Sequence, residues 1–395
     1  MADVGDIRDI NQTVFLHLIR EQQPISRADI SKQTGLSAGT VSAIVNRLIR
    51  KGLVFEGTEG PSSGGRPPRF LHINAESYYV LAIDIGVTDT VIAISDFNGH
   101  IVQQRSMITN GDAARFLLSL GDAVAAMLRS KYRQTRFGGI GVSVPGLIDR
   151  DTGILETSPN LEWKDVPIRE VLSARFNLPV FVENDANAAA FSEFWYGPLQ
   201  EARVKNLLFI LVVEGVGTGL ILNGQLHVGS RHGLGGFGHM SIDPNGELCS
   251  CGRLGCWETF ASDRATIDRY QRLAGRHSSS APTVRELASL AINGDVRARE
   301  CLEIAAEYLG EGISNLAHGI YPETIVVGGE ITAAWSIIAP VIMRRLRSRY
   351  IISPDQITVR PASMERPSLY GAIPIALQNS IGSLAGMSIV NEAFS

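Results

Sequence analysis

Residues 79–102, YVLAIDIGVTDTVIAISDFNGHIV, and residues 206–229, NLLFILVVEGVGTGLILNGQLHVG, share one plan. Each opens as an apolar run of strand length and passes through a Gly/Thr turn. Each continues as a second apolar segment and turns at an Asn-Gly pair, Asn98-Gly99 or Asn223-Gly224, into a third. Asn-Gly is a strong hairpin signal because both residues accept positive φ. Two such units in one chain predict two similar lobes with a cleft between them. Helical stretches intervene from about residue 78 onward, so this part of the chain is α/β.

The chain has 395 residues, too many for one simple core, so two or three domains are expected. Its net charge is −4, so any nucleic-acid contact must come from a local basic patch. The N-terminus, MADVGDIRDINQ, lacks the apolar core of a signal peptide, and no apolar run reaches spanning length. A soluble cytoplasmic protein without membrane contact is expected.

Upstream of the lobes, Ile7, Ile10, Val14 and Leu18 suggest a first helix. Ser26 and Asp29 form a capping-box start for a second helix, which Gly35 ends. Ser37 then caps a third helix with an apolar stripe of Val41, Ile44, Val45 and Leu48. Ala38, Gly39, Thr40, Ser42, Asn46 and Arg47 lie on its other face. Small and polar side chains at a helix start approach base edges and phosphates closely. LVFEGTEG and RFLHIN read as a two-stranded wing whose tip carries Arg66 and Arg69. The expected DNA contacts are Arg27, Ser37, Ala38, Thr40, Ser42, Asn46, Arg47 and Arg66. A plain three-helix bundle for protein contacts is the blander alternative.

Three of the four cysteines crowd into one loop: His239, nine residues, then Cys249, Cys251 and Cys256. One imidazole and three thiolates make a closed tetrahedral zinc site, structural because no position is left open. In FVENDANAAAF, residues 181–191, Asn184 and Asp185 fall at a predicted strand-to-helix junction. An amide and a carboxylate supply the donors and acceptors that vicinal hydroxyls need. An ordinary helix cap explains the same pair.

The N-terminal stretch ISRADISKQTGLSAGTVSAIVNRLIRKGLV with its SGGRPP wing, and the loop GHMSIDPNGELCSCGRLGCWE, resemble the ROK family (repressors, open reading frames, kinases). The first resembles its repressor branch, which includes xylose-, N-acetylglucosamine- and glucose-responsive repressors. The resemblance implies an actin-like, two-lobed sugar-kinase (ASKHA) fold behind a winged helix-turn-helix. It implies that Asn184, Asp185, His239 and Glu258 hold a sugar, with Asn160 as a further sugar-side position. Asp185 matches the catalytic base of the kinases. One departure stands out: the family's GExGH pattern reads Gly235-Gly236-Phe237-Gly238-His239 here, so Gly236 replaces a carboxylate.

The nucleotide loops also depart. Val87 replaces a glycine in Asp84-Ile85-Gly86-Val87-Thr88, and Glu214 precedes the second loop, where a carboxylate repels phosphates. The expected organisation is a winged helix-turn-helix over 1–75, a first lobe over 76–192 completed by a helix at about 380–395, and a second lobe over 193–379. The expected function is a repressor of carbohydrate-utilisation genes, not an enzyme. A homodimer or tetramer binds double-stranded operator DNA, and a sugar between the lobes modulates it. A sugar kinase with a DNA-binding appendage, and a ligand-independent repressor with a decayed pocket, are the alternatives.

Overall fold

The computed structural model describes the chain apart from residues 1–11, 13, 17, 21, 60–66, 130–131, 133–134, 198–203, 230–235, 276–280, 350–356 and 386–395, and apart from the side chains of 59, 349 and 379–385. The N-terminal unit follows its sequence signals closely. The Ser26 hydroxyl accepts from the Asp29 N–H at 3.2 Å and the Asp29 carboxylate accepts from the Ser26 N–H at 3.1 Å, opening helix α1 (Arg27–Thr34). Gly35, at φ 70°, ends it. Ser37 caps α2 (Ala38–Arg50) by accepting from the Thr40 N–H at 3.2 Å, and Val41, Ile44, Val45 and Leu48 are buried. The wing is β2 (Val54–Glu59) paired with β3 (Arg69–Ile73), and the short β1 (Ile25–Ser26) joins its other edge in the order β1-β3-β2.

The first helix differs from expectation. Residues 14–16 and 18–20 are helical, but the fully buried side chains are Phe15, Leu16 and Ile19, whereas Val14 and Leu18 are half-buried. Ile7 and Ile10 lie outside the described residues. The helix has apolar neighbours on two sides, the winged unit and the first lobe, so its buried arc is not the single stripe that periodicity suggests.

The two lobes repeat one sheet. In the first, β4 (Tyr79–Ile85), β5 (Asp89–Asp96) and β6 (Ile101–Ile108) are antiparallel, and β7 (Phe137–Val144) and β11 (Val180–Asn184) run parallel to β4, giving the order β11-β7-β4-β5-β6. In the second, β12 (Leu207–Val212), β13 (Val216–Leu222) and β14 (Gln225–Leu226) are antiparallel, and β15 (Thr324–Gly328) and β16 (Thr358–Pro361) are parallel, giving β14-β13-β12-β15-β16. The hairpin signals fared unequally. Asn223 and Gly224, at φ 51° and 78°, form the two-residue turn expected of them. Asn98-Gly99 sits in a longer loop, in which the Asp96 carboxylate accepts from the N–H groups of Asn98 and His100, each at 2.9 Å.

Side chains on β4 and β5 alternate between two cores, as a pleated strand requires. Leu81, Ile83, Ile92 and Ile94 face α3 (Ala113–Leu128) and α4 (Ile168–Phe176). Val80, Ala82, Val91 and Ala93 face the C-terminal helix, whose Leu369, Ile373, Ala376 and Leu377 share their cluster. That helix spans Pro367–Ala385, so the chain returns to the first lobe at Pro367 rather than near residue 380. A small three-stranded sheet, β8 (Leu147–Asp149), β9 (Ile154–Ser158) and β10 (Trp163–Val166), extends the first lobe.

Two helices lie between the large sheets: α5 (Asp185–Tyr196) on the second and the C-terminal helix on the first. Glycine lets them touch through backbone. A Cβ on Gly371 would fall 1.8 Å from the Ala188 carbonyl oxygen, and one on Gly219 would fall 2.3 Å from that of Ala186. The outer face of the second sheet is covered by α8 (Val284–Ile292), α9 (Val296–Ile320) and α10 (Trp335–Arg349), with α6 (Glu258–Ala261) and α7 (Asp263–Ala274) leading into them; the C-terminal helix is α11.

Candidate sugar, metal and DNA sites

The metal loop is built on tight turns. His239 ends a 3-10 turn, and Gly252 and Gly255, at φ 85° and 63°, fold the cysteine segment back towards it. One ligand atom from each of His239, Cys249, Cys251 and Cys256 lies within 4.8 Å of all the others. Cys251 Sγ is 3.6 Å from Cys256 Sγ, and Cys249 Sγ is 3.5 Å from His239 Nδ1. A tetrahedral zinc with ordinary Zn–S and Zn–N bonds has ligand–ligand edges of ~3.5–3.8 Å, so the donor set fits the ion. Trp257, fully buried, anchors the loop by donating its indole N–H to the Tyr308 carbonyl at 2.8 Å.

The next residue turns from metal to cleft. Glu258 Oε1 lies 3.2 Å from His239 Nδ1 and 2.9 Å from Cys249 Sγ. A Cβ on Gly215 would lie 2.7 Å from Glu258 Oε2 and 3.3 Å from Asn160 Nδ2. Gly215 is therefore flanked by Asn160, from the β9–β10 turn of the first lobe, and by Glu258 of the second. Among the described residues, a Cβ on Gly236 would touch nothing within 4 Å, so on their side the place of the missing carboxylate is open.

Asn184 does what a helix cap does. Its Oδ1 accepts from the N–H groups of Ala186 at 2.9 Å and Asn187 at 3.2 Å, and its Nδ2 donates to the Gly146 carbonyl at 3.0 Å. Behind it is Glu183, which the sequence reading passed over. This buried carboxylate pairs with Arg150 Nε at 2.8 Å and accepts from the Asn184 N–H and Asn187 Nδ2, each at 3.0 Å. Its only sequence signal was a charge inside an otherwise apolar strand.

Burial pushes the Asp185 carboxyl up to about 7, with Asp84 and Glu214 adding to the effect and a backbone hydrogen bond from Ala186 opposing it. A raised carboxyl binds its proton more tightly folded than unfolded, so folding stability falls as pH climbs from about 4 through 7. Asp185→Asn removes that loss. It is expected to stabilise the protein at pH 8 by on the order of 2 kcal/mol, a value discounted for residual solvent contact, and to change nothing below pH ~4. Thermal unfolding of both proteins across that range measures it; parallel curves would refute the raised value.

The other end of the cleft holds a cation of the protein's own. Asp84 accepts from the Ser143 hydroxyl at 2.5 Å, and Arg366 lies 3.8 Å from Asp84 and 2.5 Å from Asp89 through its two terminal nitrogens. Sequence reasoning missed Arg366, which arrives from the far end of the chain just before α11. Burial raises the carboxyls of Asp84, Glu214 and Asp263 above their ordinary range. Gly217 and Gly219, in the stretch that follows Glu214, lie in β13 against Ala186 and Ala190 of α5.

On the winged unit, Ser37, Ala38, Thr40 and Asn46 are exposed, and Ser42 and Arg47 half-buried. Arg27 is engaged within the unit: its guanidinium donates to Asn46 Oδ1 at 2.9 Å and to Glu56 Oε1 at 2.7 Å. Arg27 and Asn46 thus tie α1, α2 and the wing together. Arg66 lies outside the described residues.

A winged helix on a duplicated, two-lobed α/β body, with a thiolate loop at the cleft, defines a DNA-binding sensor built on a sugar-kinase frame. The comparisons agree. The ROK family model matches residues 80–379 and a MarR family model matches residues 8–62. The chain is 32% identical over 399 residues to the xylose repressor of Bacillus spizizenii, covering 100% of this chain and 98% of that protein. A crystal structure of a ROK family transcriptional regulator, a homolog of the E. coli MLC protein, matches with a TM-score of 0.83 at 28% identity, over 96% of this chain and 98% of that one. A ROK family glucokinase from Streptomyces griseus, solved with glucose and AMPPNP, matches at 0.68 and 26% identity, over 76% of this chain and 99% of its own. The chain belongs to the ROK family, and it is a sugar-responsive, DNA-binding transcriptional repressor. Among the described residues no helix is long and apolar enough to cross a membrane.

Proposed function

We propose that a free sugar bound between the lobes sets the operator affinity of a homodimer, and that D-xylose is the first candidate effector. The observation that carries this reading is that Asn160 and Glu258, one residue from each lobe, both flank Gly215. A ligand that bonds to both favours the closed cleft, and only such differential affinity shifts a conformational equilibrium. Asp185 supplies a further hydroxyl partner. Asn184 acts through its cap, fixing the first turn of α5. Structural zinc on His239, Cys249, Cys251 and Cys256 holds the loop and so aims Glu258. On the winged unit, the exposed start of α2, Ser37, Ala38 and Thr40 with Ser42 and Arg47, faces DNA. Arg27 and Asn46 serve there chiefly as braces, and Arg66 reaches phosphate or minor groove from the wing. The xylose assignment follows the name of the relative from Bacillus spizizenii.

Thermal unfolding of zinc-loaded protein against free and phosphorylated sugars tests the site. A sugar at 100 times its Kd adds about 2.7 kcal/mol. A hit among free pentoses or hexoses supports the reading. Silence across the panel favours a ligand-independent repressor, the alternative that Gly236 suggests. Kinase activity is disfavoured by Arg366, which occupies Asp84 and Asp89, and by the buried acids around them. ADP release in the presence of sugar and Mg-ATP would reinstate it.

A further inference from the structure

The small sheet β8–β9–β10 carries Asn160 in its β9–β10 turn, and none of its strands pairs with the five-stranded sheet of the first lobe. Its Ile148, Leu155, Trp163 and Val166 share the core of α3 and α4. Apolar contact is non-directional, so it holds the small sheet down without fixing its register. Polar links to β11 do that. Arg169 of α4 donates to the carbonyls of Arg150 and Asp151, in the β8–β9 turn, at 2.7 and 2.6 Å, and to that of Val180, at the start of β11, at 2.9 Å. Asn184, at the end of β11, donates to the Gly146 carbonyl just before β8. Between these backbone links, Arg150 Nε stands 2.8 Å from the Glu183 carboxylate.

Glu183 is the one side chain that joins the small sheet to the corner where β11 becomes α5. Its Oε1 accepts from the Asn184 N–H and from Asn187 Nδ2, each at 3.0 Å, and so holds the first turn of α5, where Asp185 lies. Its Oε2 faces Arg150. The arrangement adds little stability. The carboxylate is only 2% exposed, yet Oε2 has no aligned N–H from Arg150, and Asn187 Oδ1 is buried without a donor among the described residues. A buried pair bonded this incompletely offsets its own desolvation poorly.

We propose that Arg150 and Glu183 are positioning residues for the sugar: their contact sets how far Asn160 on the small sheet stands from Asp185 on α5, and so which sugars the cleft prefers. They act through Asn160 and Asp185 rather than on the sugar itself. This rests on the reading that those two residues hold sugar hydroxyls. A hydroxyl pattern is recognised only where its partners stand at the matching spacing, so a small shift of the sheet changes affinity unequally among sugars.

Glu183→Gln combined with Arg150→Met, in the full zinc-loaded chain, tests this. Gln keeps an oxygen for the Asn184 N–H and the Asn187 amide, and Met keeps the length of the arginine stem. The corner therefore stays bonded, the bridge is cut, and no bare charge is buried. The thermal midpoint is expected to stay within a few degrees of wild type. Calorimetry with D-xylose and D-glucose is expected to show about three- to tenfold weaker binding of at least one sugar, with the ratio of the two affinities changed. Unaltered affinities, an equal loss for both sugars, or a collapse of the midpoint overturns the proposal. Where one sugar alone binds the wild type, weakening at an unchanged midpoint is the expected result, and unaltered affinity overturns it. If neither binds the wild type, the sugar reading has failed, and hydrogen–deuterium exchange of the free protein decides the bridge. The double variant is then expected to exchange faster in peptides covering 156–164 and as wild type across 207–222. Wild-type exchange at 156–164 overturns the bridge. Arg150→Met alone leaves the buried carboxylate unpaired and is expected to lose stability that the double variant regains; no recovery overturns the claim that the pair acts on register.

Discussion

Replacing Cys251 with serine is expected to empty the metal centre and to cost the second lobe at least ~3 kcal/mol. The loop that holds the four donors has little else to fold around. Its turns are short, Leu248 and Leu254 on either side of the turn are exposed, and Trp257 alone reaches deep into the core. Without the ion, Cys249 and His239 are left 3.5 Å apart with only Glu258 between them, and Cys251 and Cys256 face each other at 3.6 Å. The wild type is expected to carry one zinc per chain by elemental mass spectrometry and the variant none. Its thermal midpoint should fall by ~6 °C or more, given the usual few degrees per kcal/mol for a domain of this size. Because His239 and Cys249 both contact Glu258, sugar response should weaken along with stability. Unchanged zinc content would remove the assignment.

Gly236→Glu carries the second large effect, and its sign is a gain. Among the described residues nothing lies within 4 Å of a Cβ built there, so the new side chain meets no clash with them at its root. A carboxylate hydrogen-bonded to a sugar hydroxyl contributes ~1.5–3 kcal/mol, about ten- to hundredfold in affinity. Calorimetry with D-xylose and with D-glucose measures it. A tightening for either sugar shows that the native pocket is short of one ligand. Unaltered affinity for both would mean that position 236 does not face the bound sugar.

How far the sequence could be read depended on whether a feature is local. The Ser26–Asp29 capping box, the α2 stripe, the Asn223-Gly224 turn and the Cys/His spacing are each complete within about twenty residues, and all four stand in the structure as read. Asn98-Gly99 shows the limit of even a local signal: the same dipeptide lies in a wider loop because Asp96 caps it from the side. What stayed hidden was pairing across the chain. Arg366 meets Asp89, Arg20 meets Trp195 and Glu193 meets Arg360, and no spacing rule links such partners. The glycines of 215–219 were legible as glycines but not in purpose. Two of them make room for α5, and the third is flanked by one residue from each lobe.

The arginine on Asp84 and Asp89 has a physiological consequence. A metal ion or nucleotide drawn from solution would fill that place according to its concentration, which rises and falls with the energy state of the cell. A guanidinium supplied by the chain is present at unit occupancy. The positive charge beside Asp84 and Asp89 is therefore part of the chain itself, and its amount does not vary with the supply of any small molecule.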